Sequence, residues 1–140
     1  MLLPAGSRPR RIPFGPAAGC VMPIDFRHQT RLYLGLYEVE LLKHFRALVS
    51  RGANCFDIGG RDGYDALLMA KRSRGRVLSV ECERASATIM RETFRMNPYS
   101  IDVVEKFVCG YDDDEHVTLD SLARDTFTPD VIKMDIEGAE

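Results

Sequence analysis

The sequence predicts an α/β fold in which a parallel sheet is flanked by helices. Three observations lead to this prediction: short apolar segments typical of strands, apolar residues at helical spacing between them, and a glycine-rich turn after the first strand. Strands that alternate with helices are typical of right-handed βαβ units, which build a parallel sheet covered on both faces. The 140 residues, 45% of them apolar and 29% charged, are enough for one such domain.

The beginning of the chain differs in composition from the rest. Residues 1–30 are rich in proline, arginine and glycine and show little periodicity, so we expect an arm that is either loose or laid over the body. The body follows it. There Leu32, Leu34 and Leu36 alternate like a short strand, and apolar residues at helical spacing then predict an amphipathic helix of about four turns.

Four further strands are predicted in the body. They are expected over residues 53–58, 76–81, 103–109 and 130–135. Asp62 can cap the helix after the first of these strands, and Pro98 ends the helix after the second. Ligands bind at the carboxyl ends of the strands in an open α/β sheet, so the residues that end each strand are the candidate site residues.

The net charge of −2 hides a gradient along the chain. Residues 1–51 carry 8 basic and 3 acidic side chains, whereas residues 101–140 carry 3 and 12. The arginines of the arm stand among prolines without interleaved aromatic residues, so we expect no nucleic-acid partner. The acidic run 112–115 lacks the spacing of a calcium-binding loop and is expected to be a solvated loop.

The cysteines and the apolar stretches indicate the cellular compartment in which the protein is expected. Cys20, Cys55, Cys82 and Cys109 are widely spread and include no CxxC pair, so we predict no metal site and expect buried free thiols. No uncharged stretch approaches the roughly 20 apolar residues of a bilayer span, and no segment has the apolar core of an export signal. We therefore expect a cytoplasmic protein with no membrane crossing.

The first predicted strand of the sheet ends in a glycine-rich turn over residues 57–63. Gly59, Gly60 and Gly63 let the backbone approach a ligand, and the helix behind them offers unpaired N–H groups, although an ordinary tight turn has the same pattern. Their spacing does not fit the dinucleotide frame G-x-G-x-x-G, and no P-loop lysine follows. Asp57 would repel a pyrophosphate but suits a ligand that bears an ammonium or sulfonium group.

Two further acids end predicted strands. Glu81 lies about twenty residues after the glycine-rich turn, where a carboxylate can accept hydrogen bonds from the hydroxyls of a ribose. This position favours a nucleoside ligand. After the third strand of the sheet, one acid of the acidic run could receive an adenine amino group, and Asp112 is the candidate. Taken alone, a glutamate at a strand end is more often an exposed carboxylate without a ligand, and its position relative to Asp57 makes the pair more specific than either acid.

Several segments together match a known pattern. They are Gly35-Leu-Tyr-Glu38, residues 56–64, Val80-Glu81, Asn97, Val117-Thr-Leu-Asp120 and residues 131–140. The last of them, a strand followed by Asp-Ile-Glu-Gly-Ala-Glu, is the most specific. On these residues the sequence resembles the FkbM-type S-adenosylmethionine-dependent methyltransferases, which act mainly on hydroxyls of sugars, polyketides and similar secondary products.

The resemblance implies a Rossmann-like class I methyltransferase fold, with residues 31–140 as its N-terminal, cofactor-binding part. It implies that S-adenosyl-L-methionine is held at its aminoacyl part by Asp57 and the glycines of the turn, and at its ribose by Glu81. The methyl acceptor would be a hydroxyl of a small molecule or sugar. Asp135 would lie near the transferred methyl group, and Asp135 or Glu137 could remove the proton of the acceptor.

The sequence also departs from the family pattern. Cys82 and Glu83 stand where a proline commonly follows the ribose acid, and Gly60 replaces a more usual alanine, a change expected to be mild. The family fold continues with three more strands, so we expect a fragment or a truncated product. An alternative is a non-catalytic remnant that pairs with itself or another chain through the edge of the last strand. An NAD-type oxidoreductase half is disfavoured by the glycine spacing.

Overall fold

The computed structural model describes residues 6–136, which form an α/β fold around a four-stranded parallel sheet. The strands are β1 Arg8–Arg11, β2 Val21–Ile24, β3 Cys55–Ile58, β4 Val77–Val80, β5 Ile101–Val104, β6 Phe107–Val108, β7 His116–Val117 and β8 Val131–Met134. The helices are α1 Thr30–Tyr33, α2 Leu42–Leu48, α3 Tyr64–Ser73, α4 Arg84–Arg95 and α5 Leu119–Asp125, with a 3-10 turn at Val39–Leu41. The sheet order is β5-β4-β3-β8, and all three neighbouring pairs are parallel, which confirms the predicted fold class.

Both faces of the sheet are covered. Cys55 on β3 belongs to a buried cluster with Leu67 of α3 and Met90 of α4, whereas Phe56 packs on the opposite face with Leu122 of α5. All residues of β3 and β4 are buried, because helices lie against each side of these central strands. The carboxyl ends of the strands remain open between the two layers.

The N-terminal segment forms a hairpin, which the sequence analysis did not predict. Strands β1 and β2 pair antiparallel, and buried Met22 and Ile24 join the core beside α3 and α4. Asn97 at the end of α4 holds the hairpin: its side chain accepts from the Val21 N–H (2.9 Å) and donates to the Val21 carbonyl (2.7 Å). A proline in each strand hides the usual strand signal, because proline is rare inside strands.

The predicted short strand over the alternating leucines is wrong. Leu32 lies in helix α1 and is buried, whereas Leu34 and Leu36 are exposed. The three leucines therefore do not share one buried face, as they would in a strand. The next helix is also shorter than predicted, since α2 has seven residues. It ends at Leu48 because Val49 takes an extended conformation that buries its side chain.

The third predicted strand of the sheet is divided in two. Strand β5 ends at Val104, whose carbonyl accepts the Glu81 N–H (3.0 Å), and the chain then leaves the sheet. Strand β6 pairs with β7 instead, and the Phe107 N–H donates to the Glu115 carbonyl (2.8 Å). The break falls at Glu105 and Lys106, two charged residues that separate the apolar pairs Val103-Val104 and Phe107-Val108.

The four cysteines are free. Cys20 and Cys55 are buried as expected, whereas Cys82 is exposed and Cys109 is partly exposed. Both exceptions follow strand ends, where the sheet is open. Within residues 6–136, no helix has both the length and the apolar character that a bilayer crossing requires.

Candidate functional site

A cleft of about 400 Å³ lies at the carboxyl ends of the central strands. Its lining includes Gly59, Arg61, Glu81, Lys106, Phe107 and Asp135. Three of these residues, Gly59, Glu81 and Asp135, were predicted from the sequence as site residues. The cleft therefore lies where ligands bind in open α/β sheets, and it offers acids, cations and an aromatic ring to a ligand.

The glycine-rich turn forms one wall of the cleft. The N–H groups of Gly59 and Gly60 both donate to the Val80 carbonyl (2.9 and 3.1 Å), which ties the turn to β4. Gly59 has φ +81°, and a Cβ there would overlap the Asp135 carbonyl oxygen. Arg61 also adopts a left-handed conformation, with φ +50°, which is uncommon for a residue other than glycine. Only a glycine at position 59 allows the turn to lie against the chain that follows β8.

Glu81 forms a second wall, and its carboxylate is held by two loops. Its Oε2 accepts the Arg61 N–H (2.9 Å), and its Oε1 accepts the Glu83 N–H (2.8 Å). The Cys82 thiol, a weak donor, is 3.7 Å from Oε1, while the second lone pair of Oε2 is unused, so the carboxylate can still accept hydrogen bonds from a ligand. The predicted ribose acid is thus oriented before any ligand binds.

Asp57 lies beneath the turn and outside the cleft. Its side chain is fully buried, and the Ser79 hydroxyl donates to its Oδ2 (3.0 Å). The Lys133 ammonium is 3.5 Å from its Oδ1. Burial raises the pKa of Asp57, while the ammonium and the hydroxyl oppose this effect. Asp57 therefore supports the glycine-rich turn from inside the protein, and a direct contact with a ligand's cation, as expected from the sequence, is not part of this geometry.

Gly60 and Gly63 are buried packing positions and do not line the cleft. A Cβ on Gly60 would overlap the Ser79 hydroxyl and the Met90 sulfur. A Cβ on Gly63 would lie 2.6 Å from the ring of Phe94 in α4. The glycine at position 60 therefore leaves the space in which the Ser79 hydroxyl donates to Asp57.

A lysine that the sequence analysis missed lies at the centre of the acids. The Nζ atom of Lys133 is 3.2 Å from Asp65 Oδ2 and 3.9 Å from Asp135 Oδ2, in addition to its contact with Asp57. Burial lowers the pKa of Lys133, but the charges of Asp57 and Asp65 outweigh burial and raise it. Burial, reinforced by the charge of Asp57, raises the pKa of Asp65 to about 7. Lys133 could have been recognised in the sequence as a charged residue inside an otherwise apolar strand, Val131–Met134.

The remaining predicted residues have different positions. Asp112 does not line the cleft: its Oδ1 accepts the Thr118 N–H and its Oδ2 accepts the Ser121 hydroxyl, both at 2.7 Å, at the start of α5. Asp135 lines the cleft, and 64% of its side chain is exposed. Glu137 lies outside the described residues. Of the two candidate bases, Asp135 is the one whose position at the cleft is described.

Arg61, Lys106 and Phe107 are among the cleft residues that had not been predicted. Arg61 belongs to the glycine-rich turn, and Lys106 and Phe107 follow the end of β5. The rule that ligands meet the residues after strand ends could have found the last two, but the predicted strand ran through them. An aromatic ring can stack on a nucleobase, and a guanidinium can pair with a carboxylate.

Comparison with known proteins bears on the fold. No family model and no curated protein matches the sequence. The structure of M. jannaschii TYW2 in complex with AdoMet matches with a TM-score of 0.51 and 13% identity, over 82% of this chain and 56% of that chain. The chain has a Rossmann-like fold. The resemblance to the FkbM-type family stays a prediction.

Two further structures are similar over smaller parts. The protein yhhF from Escherichia coli, described as a methyltransferase, matches with a TM-score of 0.46 and 18% identity over 70% of this chain and 52% of that one. A Plasmodium falciparum protein described as a protein-L-isoaspartate O-methyltransferase, in complex with S-adenosyl-L-homocysteine, matches with a TM-score of 0.42 and 19% identity over 46% and 35%. The chain spans less than two thirds of the length of each of these three structures.

Proposed function

We propose that this chain is the cofactor-binding part of an S-adenosylmethionine-dependent methyltransferase that methylates a hydroxyl of a small molecule, sugar or secondary metabolite. The observation that carries the proposal is the hydrogen bond between Glu81 and the N–H of Arg61 (2.9 Å), which joins the ribose acid to the glycine-rich turn at one cleft. The four free cysteines suit a reducing compartment, so we place the protein in the cytoplasm.

The residues of the cleft match the chemical groups of this cofactor. Glu81 has free lone pairs for the ribose hydroxyls, and Phe107 offers a ring for the adenine. Arg61 suits the carboxylate of the methionine part, and Asp135 suits its positively charged groups. In this proposal each part of the ligand meets a side chain of complementary character.

The chemistry of the step sets few demands on the protein. The cofactor supplies a methyl group that is already activated for transfer, so most of the acceleration comes from alignment of the acceptor oxygen. Asp135, exposed at the cleft, is the proposed base that takes the proton of the acceptor hydroxyl, with Glu137 as the second candidate. Asp135→Asn should weaken cofactor binding, because the residue also faces the positive charge of the cofactor, and it should still lower kcat when the cofactor is saturating.

The first experiment is a calorimetric titration of the chain with S-adenosylmethionine. We expect micromolar binding, and we expect Glu81→Gln to weaken it by about tenfold or more because a neutral amide is a poorer acceptor for two hydroxyls. Glu40→Gln, at an exposed position away from the cleft, is the matched control and should bind like the wild type. A folded chain that shows no heat of binding would refute the proposal.

One observation favours a second candidate function, an interaction module. Among residues 6–136, β8 pairs with β3 on one side, and its other edge carries Ile132, which is 45% exposed. Such an edge can pair with a strand of a second copy. This candidate predicts a concentration-dependent dimer in light scattering that Ile132→Lys disrupts, whereas a monomer at all concentrations would reject it.

A further inference from the structure

A row of polar side chains crosses the sheet from β4 through β3 to β8. Asp57 on β3 is the register partner of Ser79 on β4 and of Lys133 on β8. Asp57 and Ser79 are fully buried, and 17% of the Lys133 side chain is exposed. Burial of charged groups destabilises a protein unless they are paired, so these three residues must be understood as one unit.

Helix α3 contributes a further acid to this unit. Asp65 lies in the first turn of α3, and its Oδ2 is 3.2 Å from the Lys133 ammonium. The same ammonium is 3.5 Å from Asp57 and 3.9 Å from Asp135. One cation therefore faces three carboxylates, of which two are buried and one is exposed at the cleft. The cluster connects the protein interior to the proposed binding site.

The acids of the cluster outnumber its cation. One oxygen of Asp57 and one of Asp65 are buried and have no hydrogen-bond partner among the described residues. Burial and the charge of Asp65 also raise the pKa of Tyr37 and Tyr64. Beyond the effects of burial and Asp57, the negative charge of Glu38 raises the pKa of the Asp65 carboxyl. With the pKa of Asp65 at about 7, the cluster shares a proton near neutral pH.

We propose that Lys133 and Asp65 are positioning residues of the cofactor site: Lys133 holds Asp57 under the glycine-rich turn and Asp135 at the cleft, and Asp65 is its counter-ion. This inference rests on the proposed function. A cation that binds beside Asp135 adds positive charge to a cluster with surplus acid, so the shared proton leaves Asp65 for the solvent. Cofactor affinity therefore increases as the pH rises through neutrality.

The test compares the wild type with Asp65→Asn in calorimetric titrations with S-adenosylmethionine. Titrations near pH 7 in buffers of different ionisation enthalpy give the number of protons released. The wild type should release about half a proton per cofactor and bind several-fold more tightly at pH 8 than at pH 6. Asp65→Asn should fold, release no proton and lose this pH dependence. Equal proton release by the two proteins would overturn the inference while the proposed function stands.

The role of Lys133 is tested in the Asp65→Asn background, where one buried acid has been removed. Adding Lys133→Met should weaken cofactor binding by about tenfold, and Lys133→Arg should restore most of it because it keeps the charge. Lys43→Met, on the exposed face of α2, is the control and should have no effect. Equal affinity of the Met and Arg variants would overturn the positioning role.

A titration without cofactor separates the two proposals. Carbon NMR of the Asp65 carboxyl in the wild-type chain should show a midpoint near pH 7, and a midpoint near the ordinary value of about 4 would overturn the inference. A wild-type chain that titrates near pH 7 but fails to bind S-adenosylmethionine would refute the proposed function instead.

Discussion

Two acid-rich turns follow strands of this protein, and they use their carboxylates in opposite ways. Asp57 and Asp65, around the glycine-rich turn, are buried, and burial raises their pKa. Asp112 and Asp113, in the loop after β6, are exposed, and hydrogen bonds from their own loop lower their pKa: the Thr118 N–H is the main donor to Asp112 and the His116 side chain the main donor to Asp113. A run of acids in a sequence therefore does not by itself locate a ligand site. Burial and the supply of local donors decide its role.

The strongest test of this contrast removes the cation from the buried cluster. Lys133→Met leaves two buried carboxylates without their counter-ion, so we expect a loss of about 3–5 kcal/mol in the free energy of unfolding, measured with urea. The exposed control Lys43→Met should change it by less than about 0.5 kcal/mol. Equal changes in the free energy of unfolding for the two substitutions would show that Lys133 contributes no more to stability than an exposed lysine does.

A smaller effect is expected from filling the space beneath the turn. Gly60→Ala should cost about 1–3 kcal/mol, because the new methyl group displaces the Ser79 hydroxyl from Asp57 and crowds Met90. Gly110→Ala is the matched control, since a Cβ there meets no atom within 4 Å. Similar urea midpoints for both variants would contradict the packing described here.

The two turns should also respond to pH with opposite sign. The raised pKa of Asp65, about 7, means that its contribution to stability is fully present below about pH 4 and is lost as the pH rises through 7. The lowered pKa of Asp112 means that its contribution is present above about pH 4 and is lost as the pH falls. The unfolding temperature of Asp65→Asn, measured relative to that of the wild type, should therefore rise from pH 5 to pH 8. A difference in unfolding temperature that stays constant over this range would contradict a raised pKa of Asp65.

The smallest effect is expected in the exposed loop. Asp112→Asn weakens the hydrogen bonds at the start of α5, so the unfolding temperature should fall slightly near pH 7 and approach that of the wild type as the pH falls through the lowered pKa of Asp112. Because its oxygens are already engaged away from the cleft, cofactor affinity should not change. Weakened binding by this variant would instead support the contact with adenine that the sequence suggested.

The features of this fold that depend on local patterns could be predicted from the sequence. The strand at residues 53–58 and helix α3 were recognised because apolar periodicity and a glycine-rich turn are local patterns. Glu81 was recognised because its distance from that turn is set by one helix. The hairpin of residues 8–24 was missed because prolines mask its strands. The break between β5 and β6, at Glu105 and Lys106, was missed because the pairing of β6 with β7 is a contact between segments that local periodicity does not show.

By itself, the sequence determined the alternation of strands and helices from β3 to β8 that builds the parallel sheet, and the acids that follow its strands. Only the tertiary structure decided that Asp57 lies below the turn, that Asp112 serves helix α5 and that Lys133 joins the interior acids to the cleft. The physical reason is register. Asp57 and Lys133 become neighbours only when β3 pairs with β8. Because these strands are far apart in the sequence, the local pattern of apolar residues cannot predict their register.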